Sequence, residues 1–283
     1  MSQTEKSDRV RRIVVLLTVA GSIVAALFGS GLFGGAGISD AAGGAFAADA
    51  TVLAPAGFAF SIWSVIYLGL VAYAVWQFVP AQASKPRHRA VGYGVAASAL
   101  LNAVWIMCVL AWRIAESFVI IMILLGVLLT TFVRVCRRPR RGTAAEIVLI
   151  DGMIGLYLGW VTVAAAANLA AWLADVGIAE WSEAPGVPGT LTLIGAGLVA
   201  LFTAWRGGRW APAAATSWGL LWIAIGRWAE DPAAPVVAST AVVLAALVIL
   251  LSAARFWHRT RNGDSQGLAA DGGDADTVAA RRS

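Results

Sequence analysis

The chain predicts an all-α integral membrane bundle of about eight transmembrane helices. Three observations carry this. Of its 283 residues, 59% are hydrophobic and 13% charged, and the mean hydropathy is +0.77. Apolar runs of about 20 residues, the length a helix needs to cross a bilayer, recur along the chain. The basic residues gather in short segments between those runs, in the pattern that orients helices in a membrane. The weak period-two alternation of an outer-membrane barrel is absent. The pI near 9.8 therefore reflects orientation signals, and no nucleic-acid partner is expected. The expected surroundings are the lipid bilayer.

The spans fall at roughly 13–34, 57–79, 90–112, 117–136, 144–174, 189–205, 210–228 and 234–256. The first follows Lys6, Arg9, Arg11 and Arg12. Its basic flank, its apolar run and Ala45-Phe46-Ala47 together resemble a secretory signal with a cleavage site. The run is too long for that, and the site lies well past its end, so an uncleaved first helix is expected. A Gly- and Ala-rich loop follows, at about 35–56. The fifth run is the longest, so part of it should extend beyond the hydrocarbon or tilt. Past about 258 the composition turns to Gly, Asp and Ala, which predicts a disordered tail through 283. The expected organisation is a short N-terminus at 1–12, a core at 13–175, three added helices at 176–257 and the tail at 258–283.

Charge tests the count. If alternate loops share a side, all but two of the 21 Lys and Arg residues fall on one side; only Arg113 and Arg227 do not. The other side carries Asp40, Asp49, Glu116, Asp175, Glu180, Glu183, Glu230 and Asp231. The positive-inside rule then puts both termini in the cytoplasm. The run Arg137-Arg138-Pro139-Arg140-Arg141 suits acidic head groups, though orientation alone accounts for it. Cys108 and Cys136 lack metal spacing and read as structural, and His88 and His258 lie in basic flanks without ligand neighbours. No metal site and no required cofactor are expected.

Three polar and aromatic clusters lie inside the apolar runs. In the second, Trp63 and Tyr67 follow Pro55 and Phe60; they are about 40° apart and share a helix face. In the third, Asn102 and Trp105 are i,i+3 neighbours. A membrane-buried amide must find a partner, so Asn102 faces protein or a cavity. In the fifth, Tyr157, Trp160 and Asn168 fall within an arc of about 80°, alongside Ala164 and bordered by Ala167. Each cluster can be read as packing, as an interfacial belt or as pocket lining. Trp218 and Trp222, at i,i+4, make a second aromatic patch. Asp151 is the deepest carboxylate, a proton or ion-pair site by position. It lies about 120° from Tyr157 and could pair with a basic residue such as Arg134. Thr143-Ala144-Ala145-Glu146 reads as a capping box, and Arg227 as a snorkelling or ion-paired residue.

Taken together the clusters resemble the TspO/MBR family, the tryptophan-rich sensory proteins related to the translocator protein. Pro55, Trp63 and Tyr67 match the family's second helix, Leu101-Asn102-x-x-Trp105 its third, and Tyr157-x-x-Trp160 with Asn168 its fifth. Leu156 stands where the family usually has proline. The resemblance covers roughly 10–175 and implies a TspO-like five-helix core, leaving out the last three helices. It also implies a cavity that binds apolar ligands, tetrapyrroles such as porphyrin or haem among them, or sterol-like molecules. Trp63, Tyr67, Trp105, Tyr157 and Trp160 would pack on the ligand, and Asn102 and Asn168 would orient it. The implied role is sensory or regulatory and non-enzymatic, in a bacterial cytoplasmic membrane. The spans lack a nucleophile–base pair, a metal cluster or a close carboxylate pair. Small-molecule transport is the alternative, although no internal repeat is visible. A homodimer is compatible with the chain.

Overall fold

The computed structural model describes residues 3–34, 37–137, 143–178, 186–207, 209–229 and 231–280, with side chains up to 259. Helix α1 spans Gln3–Gly29. A 3₁₀ turn, Gly57–Ser61, leads into α2, Ile62–Trp76. Then come α3, Pro86–Leu110, with proline in its first turn where the missing N–H costs nothing, and α4, Ile114–Cys136. Helix α5 runs Ala144–Asp175 and contains a π-helical segment, Ile147–Gly152. Helices α6, Gly186–Gly207, α7, Trp210–Ala229, and α8, Pro235–Ala280, complete the order.

Seven of these helices, α2 counted with its 3₁₀ turn as Gly57–Trp76, are long and apolar enough to cross a membrane among the described residues. The remaining one, α7, is 20 residues long and falls short in apolarity. It carries Pro212, Thr216, Ser217 and Arg227, all buried against protein. A helix wrapped by neighbours can carry such groups, whereas a lipid-facing one cannot.

Helix α5 is the centre, the most buried of the spans. It packs on α4 and α7, and its inner turns meet α2; α1 packs on α3, α3 on α4, α7 on α8, and α6 on α8. Two main cores result. One lies among α1–α5 and includes Trp105, Tyr157 and Trp160. The other joins Val163 and Ala166 of α5 to Leu193, Leu220, Ile223 and Val237 of α6–α8. Lipid cannot drive helices together by hydrophobicity, so close approach at small residues supplies the contact. Helices α5 and α7 cross at Gly155 and Gly159. A Cβ at Gly159 would collide with the Pro212 carbonyl oxygen and lie 2.9 Å from the Ala215 Cβ.

Several of the basic residues meet at one end of the bundle, apart from Arg113 and Arg227. Asp8 of α1 accepts from Arg11 at 2.9 Å and from Arg89 of α3 at 2.5 Å. Arg11 also donates to the Ala83 carbonyl at 3.1 Å. Arg255 and Arg259 of α8 donate to the carbonyls of Trp205 and Arg206 at the end of α6. Helix α8 continues to Ala280, through the segment whose composition predicts disorder. That segment contains no proline to end a helix. Arg138 to Arg141, Glu180, Glu183, Glu230 and the last three residues lie outside the described residues.

Replacing Gly159 by valine should push α7 away from α5 and cost about 1–3 kcal/mol. Thermal unfolding of the purified protein in detergent checks this. A Gly126→Val control faces open space and should change little.

Candidate ligand-binding cavity

A narrow cavity lies among α2, α3 and α5, beneath the loop that joins α1 to α2. Its walls are Phe60 and Trp63 of the second-helix segment, Trp105 of α3, and Trp160, Val163, Ala164, Ala167 and Asn168 of α5. The loop adds Ile38, Phe46, Thr51, Ala54 and Pro55. No lining residue is charged. The open space is about 40 Å³, room for a water or two. Pockets that hold drug-sized ligands measure ~300–1,000 Å³, so a ligand of that size must spread these walls.

The aromatic rings form a cluster centred on Trp63 and a separate pair, Phe46 with Trp105. Trp63 stacks on Tyr67, with centroids 5.2 Å apart and planes at 21°. This is the i,i+4 pair on one helix face. The Trp63 ring also meets Tyr157 edge-on at 5.8 Å and Trp160 at 6.3 Å. Phe60 meets Trp160 at 5.7 Å, and Phe46 of the loop meets Trp105 at 6.1 Å, both edge to face.

The seven residues expected to bind ligand divide into two groups. Trp63, Trp105, Trp160 and Asn168 line the cavity. Tyr67, Asn102 and Tyr157 do not; they form a bonded layer beside it. Asn102 donates to the Tyr67 hydroxyl at 2.8 Å and to the Ser22 hydroxyl at 3.2 Å, tying α3 to α2 and α1. The Tyr157 hydroxyl donates to the Ser98 carbonyl at 3.1 Å. The Asn102 amide donor and both tyrosine hydroxyls are thus committed to other helices, as membrane burial demands, while Asn102 Oδ1 has no partner among the described residues. Asn168 accepts from the Ser117 hydroxyl at 3.0 Å, which orients its amide at the cavity's edge.

Two donors remain. The indole N–H groups of Trp105 and Trp160 are buried and have no hydrogen-bond partner among the described residues. An unmet buried donor costs ~1–3 kcal/mol. Both belong to rings of the cavity wall, so an acceptor on an occupant could satisfy them. Nothing in the sequence singles out Phe46 and Thr51 as lining, because a Gly- and Ala-rich loop carries no periodicity to aim its side chains.

Asp151 lies elsewhere, at the basic end. It pairs with Arg87 of α3, and its other oxygen accepts from Arg209 at 3.2 Å. Glu146 pairs with Lys85 at 2.5 Å and lies 3.7 Å from Arg87. Arg134 is exposed and is not the partner that the sequence suggests. The π-helical segment adds a residue to the local turn and re-aims Asp151 between α3 and the start of α7. The capping box is half formed. The Glu146 N–H donates to Thr143 at 3.3 Å, while the Glu146 carboxylate turns to Lys85 and Arg87.

Fold and site together define a class: a multi-pass helical membrane protein with an uncharged, tryptophan-walled cavity between its helices. The chain matches the family model of TSPO-like proteins over residues 12–254, and it belongs to that family. The match runs past α5 and takes in the last three helices, which the resemblance read from the motifs leaves out. No curated protein and no solved structure matches the chain.

Asp151→Asn should leave Arg87 and Arg209 without their shared carboxylate and destabilise the fold by roughly 3 kcal/mol. Combining it with Arg209→Met should cost less than the sum of the two changes. A double-mutant cycle on unfolding in detergent measures this, and strict additivity would contradict the pairing.

Proposed function

We propose that this protein is a non-enzymatic, ligand-binding membrane receptor or regulator. It takes a flat, largely apolar molecule into the cavity between α2, α3 and α5. Tetrapyrroles such as porphyrin or haem, and sterol-like molecules, are the ligand classes that the family resemblance brings forward. The membrane is the bacterial cytoplasmic membrane, with both termini on the cytoplasmic side, as the excess of basic residues at one end of the bundle supports.

The observation that carries the reading is the cavity wall itself. Aromatic faces from Trp63, Trp105, Trp160 and Phe60 offer stacking and burial. The indole N–H groups of Trp105 and Trp160 offer two donors to carbonyl or ether oxygens. Tyr67, Asn102 and Tyr157 hold the walls in register rather than touching the ligand. The transport alternative draws less support. Asp8, Glu146 and Asp151 are ion-paired at one end of the bundle and not along the cavity.

Protoporphyrin titrated into purified protein should quench tryptophan fluorescence with saturation. The Trp105→Phe, Trp160→Phe double variant keeps aromatic rings but removes both donors. Followed by the porphyrin's own emission, its affinity should fall about tenfold, the scale of one or two hydrogen bonds. Equal affinity in the variant would mean that these two indoles do not meet the ligand.

A further inference from the structure

The last three helices hold the outer wall of the cavity in place. Arg227 of α7 is fully buried. Its guanidinium donates to the carbonyls of Ala48 at 2.7 Å and Thr51 at 3.1 Å in the α1–α2 loop, and to Pro232 at 3.0 Å. The loop's grip on α7 continues along the chain. The Ala56 N–H donates to the Trp222 carbonyl at 3.2 Å, and the Trp218 indole donates to the Ala59 carbonyl at 3.0 Å. Phe58 packs against both Trp218 and Trp222. Leu53 is fully buried within the α6–α8 core. One glycine allows this approach: a Cβ at Gly189 would lie 2.7 Å from Val52.

The same stretch walls the cavity. Thr51, Ala54, Pro55 and Phe60 face it, interleaved with the residues that α7 grips. The cavity cannot admit a macrocycle at about 40 Å³, so some wall must yield. Helices α2, α3 and α5 are tied to one another by Asn102, Tyr157 and the ring cluster. The segment 48–59 is the wall held by side chains from outside that core.

We propose that Arg227 is a positioning residue: by fixing segment 48–59 from α7, it sets how fast ligand enters and leaves the cavity. This rests on the ligand-binding reading for its consequence, but not for its structural part. A planar guanidinium suits the task, because its fork of donors can bond several backbone carbonyls at once. Lysine offers a single ammonium and cannot span the same three acceptors.

The test uses the full-length protein in nanodiscs, with variants Arg227→Met, Arg227→Lys and Trp218→Phe. Amide hydrogen exchange without ligand reads the segment directly. In Arg227→Met, exchange across 45–59 should rise at least about tenfold, with the amides of α3 and α4 unchanged. Arg227→Lys and Trp218→Phe should each give a smaller rise in the same window. Stopped-flow displacement of protoporphyrin should then show faster dissociation and association, with affinity changing less than either rate. Unchanged exchange over 45–59 in both milder variants would overturn the proposal. So would an equal rise over the whole chain, which marks general loosening. If Arg227→Met does not fold, the two milder variants decide by the same criteria. If protoporphyrin does not bind the wild type, the cavity reading fails while the exchange data still judge the clamp.

Discussion

Every polar group that this bundle buries must find its partner in protein, because the bilayer offers none. That constraint arranges the molecule in three tiers. At the basic end, Asp8, Glu146 and Asp151 are each shared with arginine or lysine from another helix or the loop before it. In the middle, Asn102, Tyr157 and Asn168 bond across to Tyr67, Ser22, Ser98 and Ser117. At the far end, Arg227 gathers backbone carbonyls that a loop would otherwise leave unmet. Each tier joins elements distant in sequence, so the polar bonds select the helix arrangement while small residues let the helices close.

The indoles of Trp105 and Trp160 are among the exceptions, with side-chain atoms of Gln77, Asn102, Thr190 and Ser252 elsewhere. Their N–H groups are buried with no acceptor among the described residues, beside an uncharged space too small for more than a water or two. What sets these two donors apart from the other unmet atoms is that both belong to rings on the wall of one cavity. An occupant with acceptor oxygens would recover that cost.

Hydropathy makes most of the spans legible in the sequence, because it is a strong signal in a membrane protein. Trp63, Trp105 and Trp160 are legible through their spacing on ideal helices. Three things are not. The tilt of polar tips is set by tertiary partners, so Tyr67, Asn102 and Tyr157 look like lining but bond to neighbouring helices. The π-helical segment breaks the 100° rule, so the direction of Asp151 and its pairing with Arg87 and Arg209 cannot be read from an ideal wheel. Helix α7 is visible as a span, but its burial, which tolerates Thr216, Ser217 and Arg227, is not.

The cavity's lack of charge also constrains its ligand. A carboxylate drawn into an uncharged, apolar space would lose its hydration with no cation to replace it, at a cost that indole donors alone cannot offset. A tetrapyrrole would therefore place only a protonated carboxyl group against the indole N–H donors of Trp105 and Trp160 and leave an ionised one outside, with its apolar face inserted among Trp63, Trp105 and Trp160. The cavity's loop wall, made of Thr51, Ala54 and Pro55, is the part gripped from outside the core, by Arg227. The same segment would then have to yield to the macrocycle and to lie beside its charged edge. That double demand suits a long loop anchored by a second set of helices better than it suits a rigid helix end.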